Sequence, residues 1–348
     1  DAQESRGLGD VYKRQGHPTD GPTLTEITTR TASTERTHMN GSTRSIARRA
    51  RGALALGVAS AMLALTGCAS LGIGPREPIT TGIDEAAAAA LPQEFRDAGI
   101  INVAIDLPYP PFALIDESGG FTGLDVELGY ALGEKLGIPV SVKKQAFDSV
   151  IPSLQAGVND LILSGMNDTV ERQQVLNFVD YLYAGFSLVV ATGNPHNITD
   201  MSSLCGLNVG SQKASTTSEL LAEQSEKCEA EGKPPVNIIE VPTVNDALTA
   251  LRAGNVVSTM TDSPIAQYMI DTLGASGQLE VVVDPNNPKG FEPVYTGIGM
   301  LKKHEGLEEA IRLAFQAIID DGTYARLLEK YKMTQFKVEA AGINQATE

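Results

Sequence analysis

Arg172 and Asp262 are the charged residues whose positions most suggest chemistry. Arg172 ends a polar run, and a guanidinium can bind a carboxylate through two parallel N–H bonds. Asp262 ends a predicted strand, and ligands of α/β proteins bind at strand ends. Each has a plainer alternative: Arg172 on a helix surface paired with a neighbour, and Asp262 as a cap of the helix that follows it. In a dry cleft, the two residues would bind the carboxylate and the ammonium of one small molecule.

The capping-box pattern predicts two helix starts near these residues. Asp168 and Glu171 form one such pair, and Thr216 and Glu219 form another. Unpaired backbone N–H groups at helix starts bind anions, so both predicted ends suit a carboxylate. The alternative is that the threonines there, Thr169 and Thr216, only cap or pack.

The sequence gives little support for catalysis. Its four histidines are His17, His38, His196 and His304; the first two precede the predicted folded body and the others lie in predicted loops. No nucleophile is placed beside a base, and no Cys/His cluster has the spacing of a zinc site. We therefore expect no cofactor, no metal and no catalytic residue. A cleft carboxylate acting as a general base keeps an enzyme as an alternative.

Composition indicates a globular protein that is not built for anionic partners. Of 348 residues, 42% are hydrophobic and 20% are charged, which is enough for one or two domains with sizeable cores. The 43 acidic residues exceed the 27 basic ones, and the formal net charge is -16. That charge excludes nucleic acid as the main partner and favours a small ligand or a protein.

The first part of the chain is typical of an export signal. Met39 opens a basic segment, and an apolar run over residues 53–65 follows, too short to cross a membrane comfortably. The run ends in LTGC (65–68), which resembles the lipobox of bacterial lipoproteins, where the cysteine is lipidated and the chain is cut before it. The resemblance implies anchorage through Cys68 at the outer face of the cell membrane. The alternative is a signal peptide cleaved nearby and an incidental cysteine.

These features divide the first part of the chain into three segments. Residues 1–38, which precede a plausible start methionine, are predicted to be a non-native or unstructured extension. Residues 39–68 are predicted to be the lipoprotein signal, and residues 69–92 a flexible tether without a core. Two further cysteines, Cys205 and Cys228, would lie in a compartment that tolerates disulfides, and we expect them to pair. Two free thiols are the alternative.

From residue 93 onward, strand-like apolar runs alternate with helix-like stretches, which predicts an α/β fold. The predicted strands lie at residues 100–105, 140–142, 161–163, 207–210, 237–241 and 256–261. The predicted helices lie at residues 125–136, 149–156, 217–229, 245–253, 264–273 and 305–332. Asp125 is the expected cap of the first helix, because the apolar stripe of that helix begins at Val126.

Seven short motifs occur in an order that resembles one protein family. They are YPPF (109–112), GLDVE (123–127), IPSLQAG (151–157), SGMNDTVER (164–172), NF (177–178), VGSQKAST (209–216) and DSP (262–264). Each motif alone is weakly specific. The ordered set resembles the family 3 solute-binding proteins, the amino-acid-binding components of bacterial ABC importers, and the resemblance covers residues 95–333.

The resemblance implies a periplasmic-binding-protein type 2 fold, in which two α/β lobes are joined by two crossing segments that act as a hinge. The crossings would lie near residues 190–194 and 284–295. Lobe 1 would comprise residues 93–191 and 287–348, and lobe 2 residues 192–286. An amino-acid-like ligand would bind between the lobes of a monomer, and a membrane permease would recognise the closed form.

The resemblance also implies which residues bind the ligand's carboxylate. Arg172 matches the arginine that pairs with it. Asn167 and Thr169 would reach the same group from the first lobe, and Ser215 and Thr216 from the second.

The other implied contacts serve the ligand's ammonium group and side chain. They are Asp262, Ser164 and Gly165 for the ammonium, Asp106 and Tyr109 for the amine and side chain, and Met166 and Phe147 beside them. For Phe112 and Phe147, ordinary core packing is the alternative. Gly165, Asn167, Ala214 and Leu124 differ from the residues usual in the family, so the resemblance does not name the ligand.

Two other functions stay open. The same fold resembles certain secreted dehydratases that act on aromatic-acid precursors, and a ligand-sensing lipoprotein would use the same cleft. The chain has no tryptophan, so only tyrosine and phenylalanine could form an aromatic cage around a betaine-like ligand. This composition favours ordinary amino acids.

Overall fold

The computed structural model of the chain describes residues 82–273 and 277–347, and the predicted signal segment and Cys68 lie outside them. The strands are β1 (Ile101–Ile105), β2 (Leu114–Ile115), β3 (Phe121–Thr122), β4 (Val140–Lys144), β5 (Leu161–Ile162), β6 (Leu176–Ala191), β7 (Asn208–Gln212), β8 (Asn237–Val241), β9 (Ser258–Asp262), β10 (Leu279–Val282), β11 (Phe291–Leu301) and β12 (Lys337–Ile343). The α-helices are α1 (Glu85–Ala90), α2 (Gln93–Ala98), α3 (Leu124–Leu136), α4 (Val150–Gln155), α5 (Thr216–Ala230), α6 (Val244–Arg252), α7 (Ser263–Leu273), α8 (Leu307–Asp320) and α9 (Thr323–Lys330). None of these helices is long and apolar enough to cross a membrane.

Strand β6 is the centre of a ten-stranded sheet. The strand order is β4-β1-β5-β11-β6-β9-β7-β8, and β10 and β12 also pair with β6. Strands β4, β1 and β5 are parallel to one another on one side, and β7, β8 and β9 are parallel to one another on the other side. The predicted α/β fold is therefore confirmed as two α/β lobes, with β6 and β11 between them.

Strand β6 passes from the first lobe to the second at Phe186. Up to this residue it pairs with β11, and from this residue onward it pairs with β9. The crossing is therefore earlier than the predicted residues 190–194, and an end of the first lobe at residue 191 is too late. The other predicted crossing, residues 284–295, contains Phe291, which lies opposite Phe186 in the sheet.

Two glycines let the backbones approach closely at this crossing. The Gly185 N–H donates to the Lys289 carbonyl oxygen (2.7 Å), and a Cβ at Gly185 would overlap the Phe291 carbonyl oxygen. Gly290 has a φ of 110°, and a Cβ there would overlap the Ser263 hydroxyl. A side chain at either position would separate the strands.

Two helix boundaries differ from the predicted ones. Helix α3 begins after Gly123, and Asp125 is fully buried in its first turn, so Asp125 is not the cap that we expected. The helix predicted over residues 305–332 is two helices, α8 and α9. They separate at Gly322, whose φ of 76° interrupts the helical backbone.

The alanine tract that we assigned to a tether belongs to the folded core. It forms α1, and the Asp84 carboxylate caps this helix by accepting the Ala87 N–H (2.9 Å). Ala87 and Leu91 are buried, and α1 packs against α8 and α3. The prediction of a tether as far as residue 92 is wrong here, because alanine is the strongest helix former and the tract lies against an apolar surface.

Cys205 and Cys228 form a disulfide with their Cα atoms 5.6 Å apart, which confirms the predicted pair. The bridge joins the segment before β7 to helix α5. It lies beside Leu204 and Leu221 in the apolar core of the second lobe.

Leu91→Ala tests whether α1 belongs to the folded core. We expect the free energy of unfolding to fall by about 2 to 5 kcal/mol, because the substitution removes buried methyl groups and leaves a cavity. Chemical denaturation followed by circular dichroism measures this loss. Glu85→Ala, at an exposed position of the same helix, is the control and should change the stability by less than about 0.5 kcal/mol. If the Leu91 variant were as stable as wild type, α1 would not be part of the folded core and the predicted tether would stand.

Candidate ligand-binding site

The predicted ligand contacts lie at the strand ends of both lobes. Strands β1 and β5 lead into the loops that carry Asp106 and residues 164–167, and β9 ends at Asp262. Strand β7 leads into the N-terminus of α5, where Ser215 and Thr216 lie. The carboxyl ends of parallel strands share one edge of a sheet, which is where α/β proteins bind ligands.

Arg172 lies between the lobes and not on a helix surface, because it is only 8% exposed. Its Nη1 donates to the Asn167 carbonyl oxygen (2.9 Å) in the first lobe, and its Nη2 donates to the Ala214 carbonyl oxygen (3.2 Å) in the second. The guanidinium carbon lies 5.8 Å from the centre of the Phe147 ring. Burial lowers the pKa of Arg172, since removal from water disfavours the charged form. A carboxylate bound here would compensate that cost.

A short 3-10 turn, Arg172–Gln174, presents this arginine in place of the α-helix predicted after Asp168. Thr169 accepts the Arg172 N–H at its Oγ1 (3.2 Å) and so caps the turn. The Asp168 carboxylate does not cap it, because it accepts the N–H of Ala346 (3.1 Å). The predicted capping box at Asp168 is therefore wrong.

Asp262 faces the first lobe, although it directly precedes α7. It is 9% exposed, and its Oδ2 accepts the Tyr109 hydroxyl (2.8 Å) while its Oδ1 accepts the Asn167 side-chain amide (3.2 Å). Both bonds come from the opposite lobe. Burial raises the pKa of the Asp262 carboxyl group, so its ionised form is short of stabilising partners.

Asp106 is a second buried carboxylate at the lobe boundary. It is 4% exposed, and its Oδ2 accepts the Gln212 side-chain amide from the second lobe (2.7 Å). Burial is the largest influence on its pKa, which is raised. Gln212 was not among the predicted contacts, although it ends β7 within the VGSQKAST motif. Its position at a strand end was the signal that could have identified it.

The backbone of Gly165 lies against the stacked rings of Tyr109 and Phe112. Its φ is 56°, and a Cβ at this position would lie 2.7 Å from the Tyr109 ring and 3.4 Å from the Phe112 ring. Those two rings are stacked with centroids 5.5 Å apart. The absence of a side chain at Gly165 therefore sets how deeply Tyr109 enters the site.

Ser215, and not Thr216, caps helix α5 by accepting the Ser218 N–H. This leaves the Thr216 hydroxyl buried without a hydrogen-bond partner among the described residues. A buried hydroxyl without a partner is costly. Its position at the first turn of α5 suits an acceptor group of a ligand.

Two predicted contacts face the protein instead of the lobe boundary. The Ser164 hydroxyl accepts the Asp106 N–H (2.9 Å), and the Met166 side chain packs in an apolar cluster with Leu176 and Phe178. Phe147 belongs to the same cluster while also lying near the Arg172 guanidinium. Direct contacts thus join Tyr109, Phe147, Asn167, Arg172, Ala214 and Asp262 in one group. Asp106 and Gln212 form a separate pair across the same boundary.

A cleft that joins two α/β lobes, with an arginine and two carboxylates buried across it, defines a two-lobed solute-binding protein of the periplasmic type 2 fold. Comparison with protein families agrees with this class. The chain belongs to the bacterial extracellular solute-binding proteins, family 3, whose model matches residues 101–334.

Individual relatives are named for the amino acids that they bind. The chain is 31% identical over 260 residues to the arginine-binding protein ArgT of Corynebacterium glutamicum, covering 74% of this chain and 82% of that protein. It is 29% identical over 256 residues to the lysine/arginine/ornithine-binding periplasmic protein of Escherichia coli, covering 73% and 94% respectively. A solved structure of an ancestral arginine-binding protein bound to arginine matches with a TM-score of 0.60 and 30% identity, covering 67% of this chain and 98% of that one.

Gly165→Ala tests whether this glycine positions Tyr109. We expect the affinity for L-arginine, used as the probe because these relatives are named for it, to fall by about tenfold or more, since the new methyl group displaces the ring. Isothermal titration calorimetry measures the change. Gly119→Ala is the control: its φ of 82° imposes similar backbone strain, but no atom lies within 4 Å of the added Cβ. Equal losses in the two variants would assign the effect to backbone strain alone.

Proposed function

We propose that this chain binds an amino acid with a cationic side chain between its lobes and delivers it to the permease of an ABC importer. The charge balance of the site carries the proposal. Arg172 is the buried cation among its contacts, and Asp262 and Asp106 are two buried carboxylates. The carboxylate and ammonium of an α-amino acid would pair with Arg172 and Asp262, which leaves Asp106 to pair with a positive side chain.

The geometry supports this division of roles. Arg172 and the unpaired Thr216 hydroxyl offer donors to a carboxylate, one from each lobe. Asp262 offers its oxygens to an ammonium group beside the Tyr109 hydroxyl. Asp106 lies on the loop after β1, where Gln212 gives it a neutral donor. A bound cationic amino acid would exchange these weaker contacts between the lobes for charged ones.

The relatives support the same ligand class. One is named for arginine, and another for lysine, arginine and ornithine. A polar neutral amino acid is the nearest alternative, because a structure of an ancestral arginine-binding protein, 29% identical to this chain, has been solved with glutamine bound. An ancestral amino-acid-binding precursor of a cyclohexadienyl dehydratase, 27% identical, keeps the enzyme alternative open for a turnover assay.

We infer that the protein acts outside the cytoplasm, attached through a lipid on Cys68. The LTGC sequence after an apolar run supports this anchor. A monomer that presents both lobes to the permease is part of the same proposal. Metabolic labelling with a radioactive fatty acid, compared between wild type and Cys68→Ala, tests the anchor.

Arg172→Ala should remove most of the affinity for arginine. We expect the dissociation constant to rise roughly 30- to 4,000-fold, because loss of a buried charged partner costs about 2 to 5 kcal/mol. Calorimetric titration measures it. Arg172→Lys keeps the charge but loses the two-point geometry, so it should fall between wild type and the alanine variant. Wild-type affinity in the alanine variant would show that Arg172 does not bind the ligand.

Asp106→Asn should change which amino acid is preferred. We expect the affinity for arginine to fall about tenfold or more while the affinity for glutamine changes little, because only a cationic side chain needs the carboxylate charge. A thermal-shift panel of the twenty amino acids, followed by titration of arginine and glutamine, measures the ratio. Asp320→Asn is the matched control, since this exposed carboxylate at the end of α8 accepts the Gln316 side-chain amide away from the site. An unchanged ratio in the Asp106 variant would contradict the cationic ligand.

A further inference from the structure

A buried carboxylate behind the site, Asp125, is not explained by direct ligand contact. It lies in the first turn of α3, within the GLDVE motif, and is fully buried. Its Oδ2 accepts the Gly165 N–H (2.7 Å), and its Oδ1 accepts the Tyr181 hydroxyl (2.7 Å). One carboxylate thus ties together α3, the crossing strand β6 and the loop that carries Gly165.

The bond to Gly165 fixes the backbone beside the predicted ammonium position. Gly165 has a left-handed backbone conformation, and the ring of Tyr109 rests on it. Because a trans peptide directs its C=O and N–H in opposite directions, an N–H held by Asp125 points the Ser164 carbonyl away from α3. Asp125 therefore sets the orientation of this peptide unit without reaching the ligand.

The Asp125 carboxyl group is influenced by polar and charged groups from three other elements. The groups that face it are the Tyr181 hydroxyl on β6, the Gly165 N–H on the loop after β5, and Asp262 at the end of β9. Tyr109, which donates to Asp262, interacts with both carboxylates. The positive charge of Arg172 acts on Asp262 and offsets part of the rise in the pKa of that carboxyl group. An ammonium group bound at Asp262 would favour the ionised form of both carboxyl groups.

We propose that Asp125 is a positioning residue that also provides a buried counter-charge, so that binding of the ligand's ammonium group is coupled to loss of the Asp125 proton. This inference rests on the proposed function, because it requires an amino acid whose ammonium pairs with Asp262. The proposal predicts that the affinity for the ligand increases as the pH rises through neutrality.

The direction of the pH dependence follows from the burial of Asp125. Burial raises the pKa of this carboxyl group to about 7, and the nearby Asp262 contributes to the rise. At pH 5.5 the group holds its proton, so the ligand must bind beside a neutral acid or displace the proton. At pH 7.5 the group is mostly ionised, and its negative charge attracts the ammonium without contacting it. Affinity should therefore increase from pH 5.5 to 7.5.

Asp125→Asn separates charge from position. The amide oxygen can accept the Gly165 N–H, and the Tyr181 hydroxyl can accept the amide N–H, so the local geometry is kept while the titrating group is lost. We expect wild-type affinity for arginine to rise about sixfold from pH 5.5 to 7.5, which corresponds to a fall of about one unit in the pKa of Asp125 on binding. The Asn variant should change less than about threefold and bind at every pH roughly as wild type does at pH 5.5.

Calorimetry gives a second readout that a purely structural role would not affect. Titration of arginine at pH 7 in phosphate and in Tris, buffers of different ionisation enthalpy, measures the protons released. Wild type should release roughly half a proton more than the Asn variant, because a group near its pKa is about half protonated. Equal proton release, or an equal pH slope in both proteins, would overturn the coupling.

Two further variants test the positional role and guard against poor folding. Asp125→Ala removes the acceptor for Gly165 and should weaken binding at every pH. Tyr181→Phe keeps the acid but loses a donor that lowers its pKa, so its affinity profile should move to higher pH. Wild-type affinity in the alanine variant, or an unshifted profile in the Phe variant, would count against the proposal. If the wild-type chain binds no amino acid, the proposed function itself fails; if it binds with an unchanged slope in Asp125→Asn, only this inference fails.

Discussion

The burial of charge between two lobes is the constraint on which the rest of this structure depends. Arg172, Asp262 and Asp106 are each at most 9% exposed, and a buried ion needs an opposite charge or several hydrogen bonds. In each case part of that compensation comes from the other lobe: Ala214 for Arg172, Asn167 and Tyr109 for Asp262, and Gln212 for Asp106. Closure of the lobes and satisfaction of these charges are therefore the same event, and a ligand that adds matched charges favours closure by its differential contacts.

The strands that connect the lobes also hold the binding loop. Asn167 forms a β-bridge with Thr296 of β11, and the Met166 carbonyl oxygen accepts the Gly297 N–H (2.9 Å). The loop that bears Asn167 is thus paired with a strand that lies at the crossing, where Gly185 and Gly290 allow close backbone contact. A change in the angle between the lobes is transmitted through main-chain hydrogen bonds, whose geometry tolerates little deviation. This continuity provides a physical route from ligand contact to domain closure.

Local elements of the fold could be predicted from the sequence because their signals are local. The strand at residues 237–241 and the helix ending at Leu273 follow directly from apolar periodicity and from glycine and proline at their ends. Asp125 was misassigned for the opposite reason. Its acidic side chain before an apolar stripe is a good capping pattern, yet its partners, Gly165 and Tyr181, are distant in sequence. Gln212 and helix α1 had local signals, a strand-end position and an alanine tract, but their partners in the other lobe and in α8 could not be predicted from those signals.

The choice of a neutral amide at position 212 bears on specificity. A lysine there would pair permanently with Asp106 and cancel the charge that a cationic ligand is proposed to meet. The Gln212 amide instead donates to one carboxylate oxygen of Asp106 and to the Pro242 carbonyl oxygen (3.1 Å) without bringing a charge of its own. A neutral donor holds the carboxylate in place and offsets part of the cost of its burial, and a bound cation would offset more of that cost. Selectivity for a positive side chain would then arise less from a close-fitting pocket than from a buried carboxylate that the protein compensates only in part.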